Sequence, residues 1–140
     1  MRGKLLYISG GIAFAFGVFH CFFWLLFDWA AELPKLSAVN AGIMEMFNIV
    51  GIWGFFFQGF ACFVLARKQG PLSAAEKSIL GFIGGFYFLR AAFGFPLFGI
   101  NLEEVVVVMV CLTVAVASFL ALRLPQDGGR IPSPAKAMGN

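Results

Sequence analysis

Four side chains able to do chemistry fall inside segments that are otherwise apolar: His20, Glu45, Asn48 and Arg90. An imidazole beside a carboxylate can move a proton, and a guanidinium can hold an anionic group. Glu45 and Asn48 are three residues apart and share one helix face. His20 shares a face with Gly17 and Ala13, the small side by which a helix approaches its neighbour, so its imidazole should point into a bundle. The expected arrangement is a Glu45–Arg90 ion pair with His20 and Asn48 hydrogen-bonded nearby, a ligand-binding or structural polar cluster. Two plainer readings stand beside it. The groups can satisfy one another and lock the bundle, or Arg90 can snorkel outward along its own stem.

Several chemistries are disfavoured by what the chain lacks. No Ser or Cys nucleophile has an evident spacing to His20, so a catalytic site is not expected, and a membrane enzyme using His20 as base is the weakest of three functional readings. His20 is the sole histidine. Bis-His haem ligation within one chain is therefore excluded, zinc lacks ligands, and no cofactor or metal is expected. Cys21, Cys62 and Cys111 fall in three different apolar segments with no CxxC spacing, which suits small hydrophobes better than redox chemistry. Gln58 is expected to bond to a neighbouring helix.

The elements that must position these groups are four long apolar runs, at about 5–27, 41–66, 78–98 and 105–122 of 140 residues. A helix needs about 20 mostly apolar residues to cross ~30 Å of hydrocarbon. With 61% hydrophobic and 12% charged residues, a soluble core could not hide this apolar surface. The expected fold is all-α: a polytopic membrane protein, a four-transmembrane-helix bundle over 1–123 followed by a disordered cytoplasmic tail over 124–140. The run of valines from Val105 could pass for a strand, but an open strand in lipid leaves backbone groups unpaired, so helix is expected there too.

Orientation follows from charge. Arg2, Lys4, Arg67, Lys68, Lys77, Arg123, Arg130 and Lys136 make eight of the ten basic residues, and all fall at one end of the runs. Positive charge is retained in the cytoplasm, so both termini are expected there. The basic residues are scattered around the ends of the runs, which argues for topology and against nucleic acid. The first run is too long, and ends in too bulky a stretch, for a cleaved signal peptide. Measured from the ends of these runs, His20 and Arg90 should lie ~10 Å deep, in one stratum with Glu45 and Asn48.

The connections carry their own signals. Residues 29–40 place Leu33, Leu36 and Val39 at helical spacing, with Pro34 in a first turn, and read as an interfacial connector or, less simply, a lid. Ser73 with Glu76 matches a capping box for the third helix. Glu103 and Glu104 suit the N-terminus of the fourth. Gly81 and Gly85 in GxxxG spacing, Ala13 with Gly17, and Gly51, Gly54 and Gly59 mark expected packing faces, with 19 Phe filling volume.

Residues 19–29, Phe19-His20-Cys21-Phe22-Phe23-Trp24-Leu25-Leu26-Phe27-Asp28-Trp29, followed by Leu33, Leu36, Asn40, Met44 and Phe47-Asn48, resemble a group of small uncharacterised bacterial four-helix membrane proteins. The resemblance covers about the first half and implies a bacterial inner-membrane protein without an established activity. Size and layout are also similar to the DoxX-like families, with no shared residue motif. The leading expectation is a small accessory or ligand-binding protein of the bacterial cytoplasmic membrane, in contact with lipid and compatible with a homo-oligomer or larger membrane complex. The alternative is an oligomeric small-solute or proton-coupled transporter, because four short helices seldom enclose a path alone.

Overall fold

The computed structural model describes residues 1–124, so the tail expected to be disordered lies, but for Leu124, outside the described residues. Four long helices dominate: α1 (Arg2–Cys21), then two short helices α2 (Phe23–Leu26) and α3 (Trp29–Glu32), then α4 (Ala38–Arg67), α5 (Ala74–Phe98) and α6 (Leu102–Arg123). A 3₁₀ turn, Leu33–Lys35, links α3 to α4 and carries Pro34 in its first turn, where the missing N–H costs no helical bond. All four long helices are long and apolar enough to cross a membrane, which suggests a multi-pass membrane protein. Among the described residues there is no strand, and the valines of α6 are helical.

Helix ends are set by local chemistry. Ser73 caps α5 with a full capping box, its hydroxyl accepting from the Glu76 N–H while the Glu76 carboxylate accepts from the Ser73 N–H. Ser37 caps α4 and Asn101 caps α6 through side-chain oxygens. Gly99, at φ 76°, closes α5 in the left-handed region that glycine tolerates. The first apolar run does not form one helix to Phe27. Phe22 (φ −96°, ψ 3°) breaks it after Cys21, and Asp28 (φ 46°) turns the chain again, so α2 and α3 fold over the end of the bundle.

α1 packs along α4, α5 along α6, and the two antiparallel hairpins meet mainly where α1 lies against α6. The centre is filled by Leu6, Leu80, Ile83, Tyr87 and Val114. Between α4 and α5, which touch little directly, Phe55 spans the gap to Phe86 at 5.8 Å and Tyr87 at 6.3 Å between ring centres. At the basic end Arg2 is buried and donates to the carbonyls of Lys68 (3.2 Å) and Gly70 (2.9 Å). One of the topological charges is thereby also a tie between the start of α1 and the loop after α4.

Glycines do set the closest approach, but not all of the expected ones. Along α1 and α4 a Gly-x-x-x-Phe step faces another running the opposite way: a Cβ on Gly10 would meet the Phe63 ring at 2.7 Å, and one on Gly59 would collide with the Phe14 ring. The two rings stack at 5.5 Å. Gly17 receives Phe56 in the same manner. The GxxxG pair Gly81 and Gly85, by contrast, has nothing within 4 Å, and it is Gly84 that admits a neighbouring ring, Phe119 of α6. Among the described residues these two glycines face open space, correcting the packing face expected from their spacing.

Candidate polar cluster and cleft

The helix ends opposite the basic loops gather the ionisable side chains, but not in the pairs expected. Arg90 reaches outward along α5 past Gly94 and meets Glu104 of α6 in a two-pronged ion pair, Nη1–Oε1 at 2.6 Å and Nη2–Oε2 at 2.9 Å. Phe98 covers the guanidinium at 4.8 Å from its ring centre. Parallel N–H···O bonds of this kind fix geometry as well as charge. Gly94 is required for it: a Cβ there would collide with Glu104 Oε1 and lie 2.9 Å from Arg90 Nη1. The expected Glu45–Arg90 pair is therefore wrong, because Glu104, across a three-residue connection, is the carboxylate within reach.

Glu104 sits three residues after the α6 cap, and its backbone N–H donates to Asn101 Oδ1 at 2.7 Å. Sequence reasoning placed it at a helix N-terminus for the dipole alone. The missed signal is the short Gly99–Asn101 connection, which holds the ends of α5 and α6 side by side and brings a first-turn carboxylate of α6 level with the penultimate turns of α5.

His20 and Asn48 form a second, separate unit. The Asn48 amide donates to the His20 carbonyl at 3.2 Å, which leaves its Oδ1 facing His20 Nδ1 at 2.9 Å. An acceptor there requires the proton on Nδ1, so in the neutral imidazole Nε2 keeps the lone pair. The ring is stacked on Phe23 at 4.0 Å and lies 4.7 Å from Phe55. Arg90 is near enough to interact electrostatically with the imidazole, yet each has its own partner. This amide bridge joins the last turn of α1 to α4, and a Cβ on Gly51, one turn along α4, would lie in ordinary contact with the imidazole, 3.8 Å from Nδ1. Asn48→Leu, which removes both bonds, should cost about 1–2 kcal/mol in a thermal or denaturant unfolding series. Asn48→Asp, which keeps the acceptor for Nδ1–H, should recover part of the loss.

Glu45 is left alone. Among the described residues it forms no ion pair; those between side chains are Glu32–Lys35, Lys68–Glu76 and Arg90–Glu104. It lines an open cleft of about 410 Å³ between the connector and the start of α4, together with Trp24, Trp29, Leu33, Pro34 and Leu36. Trp29 and Leu33 are buried, whereas Trp24 is half exposed, its ring 6.2 Å from that of Trp29. The cleft exists because α4 begins well beyond the end of α1, and the 3₁₀ turn packs against this overhang while Trp24 of α2 and Trp29 of α3 complete the cleft wall.

Gln58 does not find the inter-helix bond expected of it: its Oε1 is buried without a partner among the described residues, as are Ser9 Oγ, Tyr87 OH and Ser118 Oγ. Cys62 and Cys111 are buried free thiols, and Cys21 is exposed. Among the described residues no three His, Cys, Asp or Glu side chains converge as a metal site. No protein-family model, curated protein or solved structure matches the chain.

Proposed function

We propose that the chain is a multi-pass protein of the bacterial cytoplasmic membrane, both termini cytoplasmic, acting as a small accessory or ligand-binding protein through the opposite end of its bundle. Charge supports the orientation, since the loop after α4 and the flanks of α1 and α6 carry the basic residues. Helix length supports the level of the site. Glu45 lies 22 residues from Arg67 along α4, about 33 Å at 1.5 Å per residue, against ~30 Å of hydrocarbon. With Arg67 at the inner boundary, the cleft sits at the outer headgroup level and not ~10 Å below it. Trp24, half exposed, suits that level as an interfacial anchor.

The observation that carries the reading is the cleft holding a carboxylate without a partner among the described residues, whereas Arg90, the other charge of the expected cluster, is matched by Glu104. A group that stabilised the bundle alone would be expected to have a protein partner. A solute path through one copy finds no support, because the bundle centre is filled by packed side chains.

The test is a thermal-shift series on delipidated protein in detergent with a panel of lipids and amphiphiles. A bound ligand should stabilise the fold by about 2.7 kcal/mol at a hundredfold excess over Kd, with Tm continuing to rise with the logarithm of ligand concentration. If no compound gives such a concentration-dependent rise, the binding reading fails. In cells, with Cys21, Cys62 and Cys111 replaced by Ala, Ser37→Cys should react with an impermeant maleimide from outside and Ser73→Cys should not.

A further inference from the structure

We propose that the cleft binds the ammonium headgroup of a membrane lipid, with Glu45 as its counter-charge and the indoles of Trp24 and Trp29 beside it. The proposal rests on the binding reading above and names the ligand class of the same site. Three observations lead to it.

The first is charge. Glu45 is half-buried at the edge of an apolar cleft, and among the described residues no cationic side chain lines that cleft. Lys35, one residue past Pro34, is held by Glu32 at 2.6 Å and does not line it. A carboxylate at the border of hydrocarbon is costly unless paired. An anionic headgroup would worsen the imbalance, a neutral one would leave it, and an ammonium corrects it.

The second is the wall. Trp24 and Trp29 both line the cleft, their rings meeting edge to face at 69° between planes. Indole faces attract ammonium groups within about 6 Å of the ring centre, more strongly where water is thinned out. Leu33, Pro34 and Leu36 supply apolar surface for the carbons next to the charge.

The third is position. The cleft is open and lies where α4 overhangs α1, so a headgroup can enter sideways while its acyl chains stay in the bilayer. A lipid is favoured over a free amine on this ground, since the chains fall against the exposed apolar flank of α2 and α4, which includes Leu25, Leu26, Met46 and Phe47.

The experiment uses the full chain carrying Trp53→Phe, so that the remaining two of three tryptophans, Trp24 and Trp29, both report from the cleft. Short-chain phosphatidylethanolamine, its N-acetylated derivative, phosphatidylglycerol and dodecylamine are titrated in nonionic detergent and tryptophan emission is followed. Phosphatidylethanolamine should give a saturable change. Both N-acetylation of the lipid and Glu45→Gln should weaken it by at least about tenfold, the loss expected on removing one side of a partly desolvated charge contact. Because the Glu45 side chain holds no bond among the described residues, Glu45→Gln should keep the wild-type circular dichroism and melting curve. Equal affinity for all three phospholipids, or no effect of Glu45→Gln, would overturn the ammonium assignment while leaving a lipid-binding cleft. Saturation by dodecylamine with phosphatidylethanolamine inert would overturn the lipid source. No saturable response to any of them would overturn both this proposal and the binding reading.

Discussion

Glu104→Gln should lower the stability of the purified protein by about 2–3 kcal/mol. The Glu104 side chain is 7% exposed and accepts two bonds from one guanidinium. Replacing it with an amide keeps the shape but leaves Arg90 beside Phe98 without its counter-charge. Removing one partner of a buried pair typically costs 3–5 kcal/mol, and the lower figure is expected because Arg90 remains 32% exposed and can draw in water. Arg90→Met should cost less than Glu104→Gln, since a methionine fills the stem's space and leaves an acid that can protonate. The double change, Arg90→Met with Glu104→Gln, should recover much of the loss. The coupling read from that cycle, in detergent with reversible unfolding, should be about 1–3 kcal/mol. A cycle built on Glu45 and Arg90 should show additivity, as the two do not pair. Coupling in the second cycle and none in the first would mean that the side chains are arranged differently in solution.

The reason Glu104 was hard to find in the sequence is that a stratum argument depends on where helices end. Apolar runs showed that there are four helices, and Ser73 with Glu76 showed where α5 starts, because capping chemistry is local. The end of α1 is not local in that sense. Nothing apolar or polar changes between Cys21 and Phe27, and the break at Phe22 comes where the chain turns into α2 and α3. A depth counted from Phe27 therefore starts six residues beyond the end of α1 at Cys21. Asn48 was still placed near His20, since both lie on faces that the α1–α4 packing brings together. Arg90 was assigned to Glu45 across the bundle when the short Gly99–Asn101 connection had already set Glu104 beside it. Proximity through a tight turn outweighed proximity through a shared level.

The second large effect is expected at Gly59, where sequence spacing marked a glycine correctly but could not show its partner. Gly59→Ala gains helix propensity, up to about 1 kcal/mol in a water-exposed helix. Against that, its methyl group would run into the Phe14 ring and come within 3.1 Å of the Gly10 carbonyl oxygen. The ring can turn aside only by leaving its stack on Phe63 and its contact with Phe56 at 5.3 Å. The carbonyl belongs to backbone and can move only if α1 moves. Overpacking of this kind costs about 1–3 kcal/mol, so the steric term should win and Gly59→Ala should be destabilising by about 1–2 kcal/mol. Gly59→Leu should go further, separating α1 from α4 and stretching the His20–Asn48 bridge at the far end of the same interface. Gly81→Ala is the control, since a methyl there meets nothing within 4 Å and should leave stability unchanged or slightly raised. Unfolding in mixed micelles would measure all three. Equal effects at Gly59 and Gly81 would mean that α1 and α4 do not approach through the Gly10 and Gly59 steps, and the reciprocal seating of Phe14 and Phe63 would have to be abandoned with it.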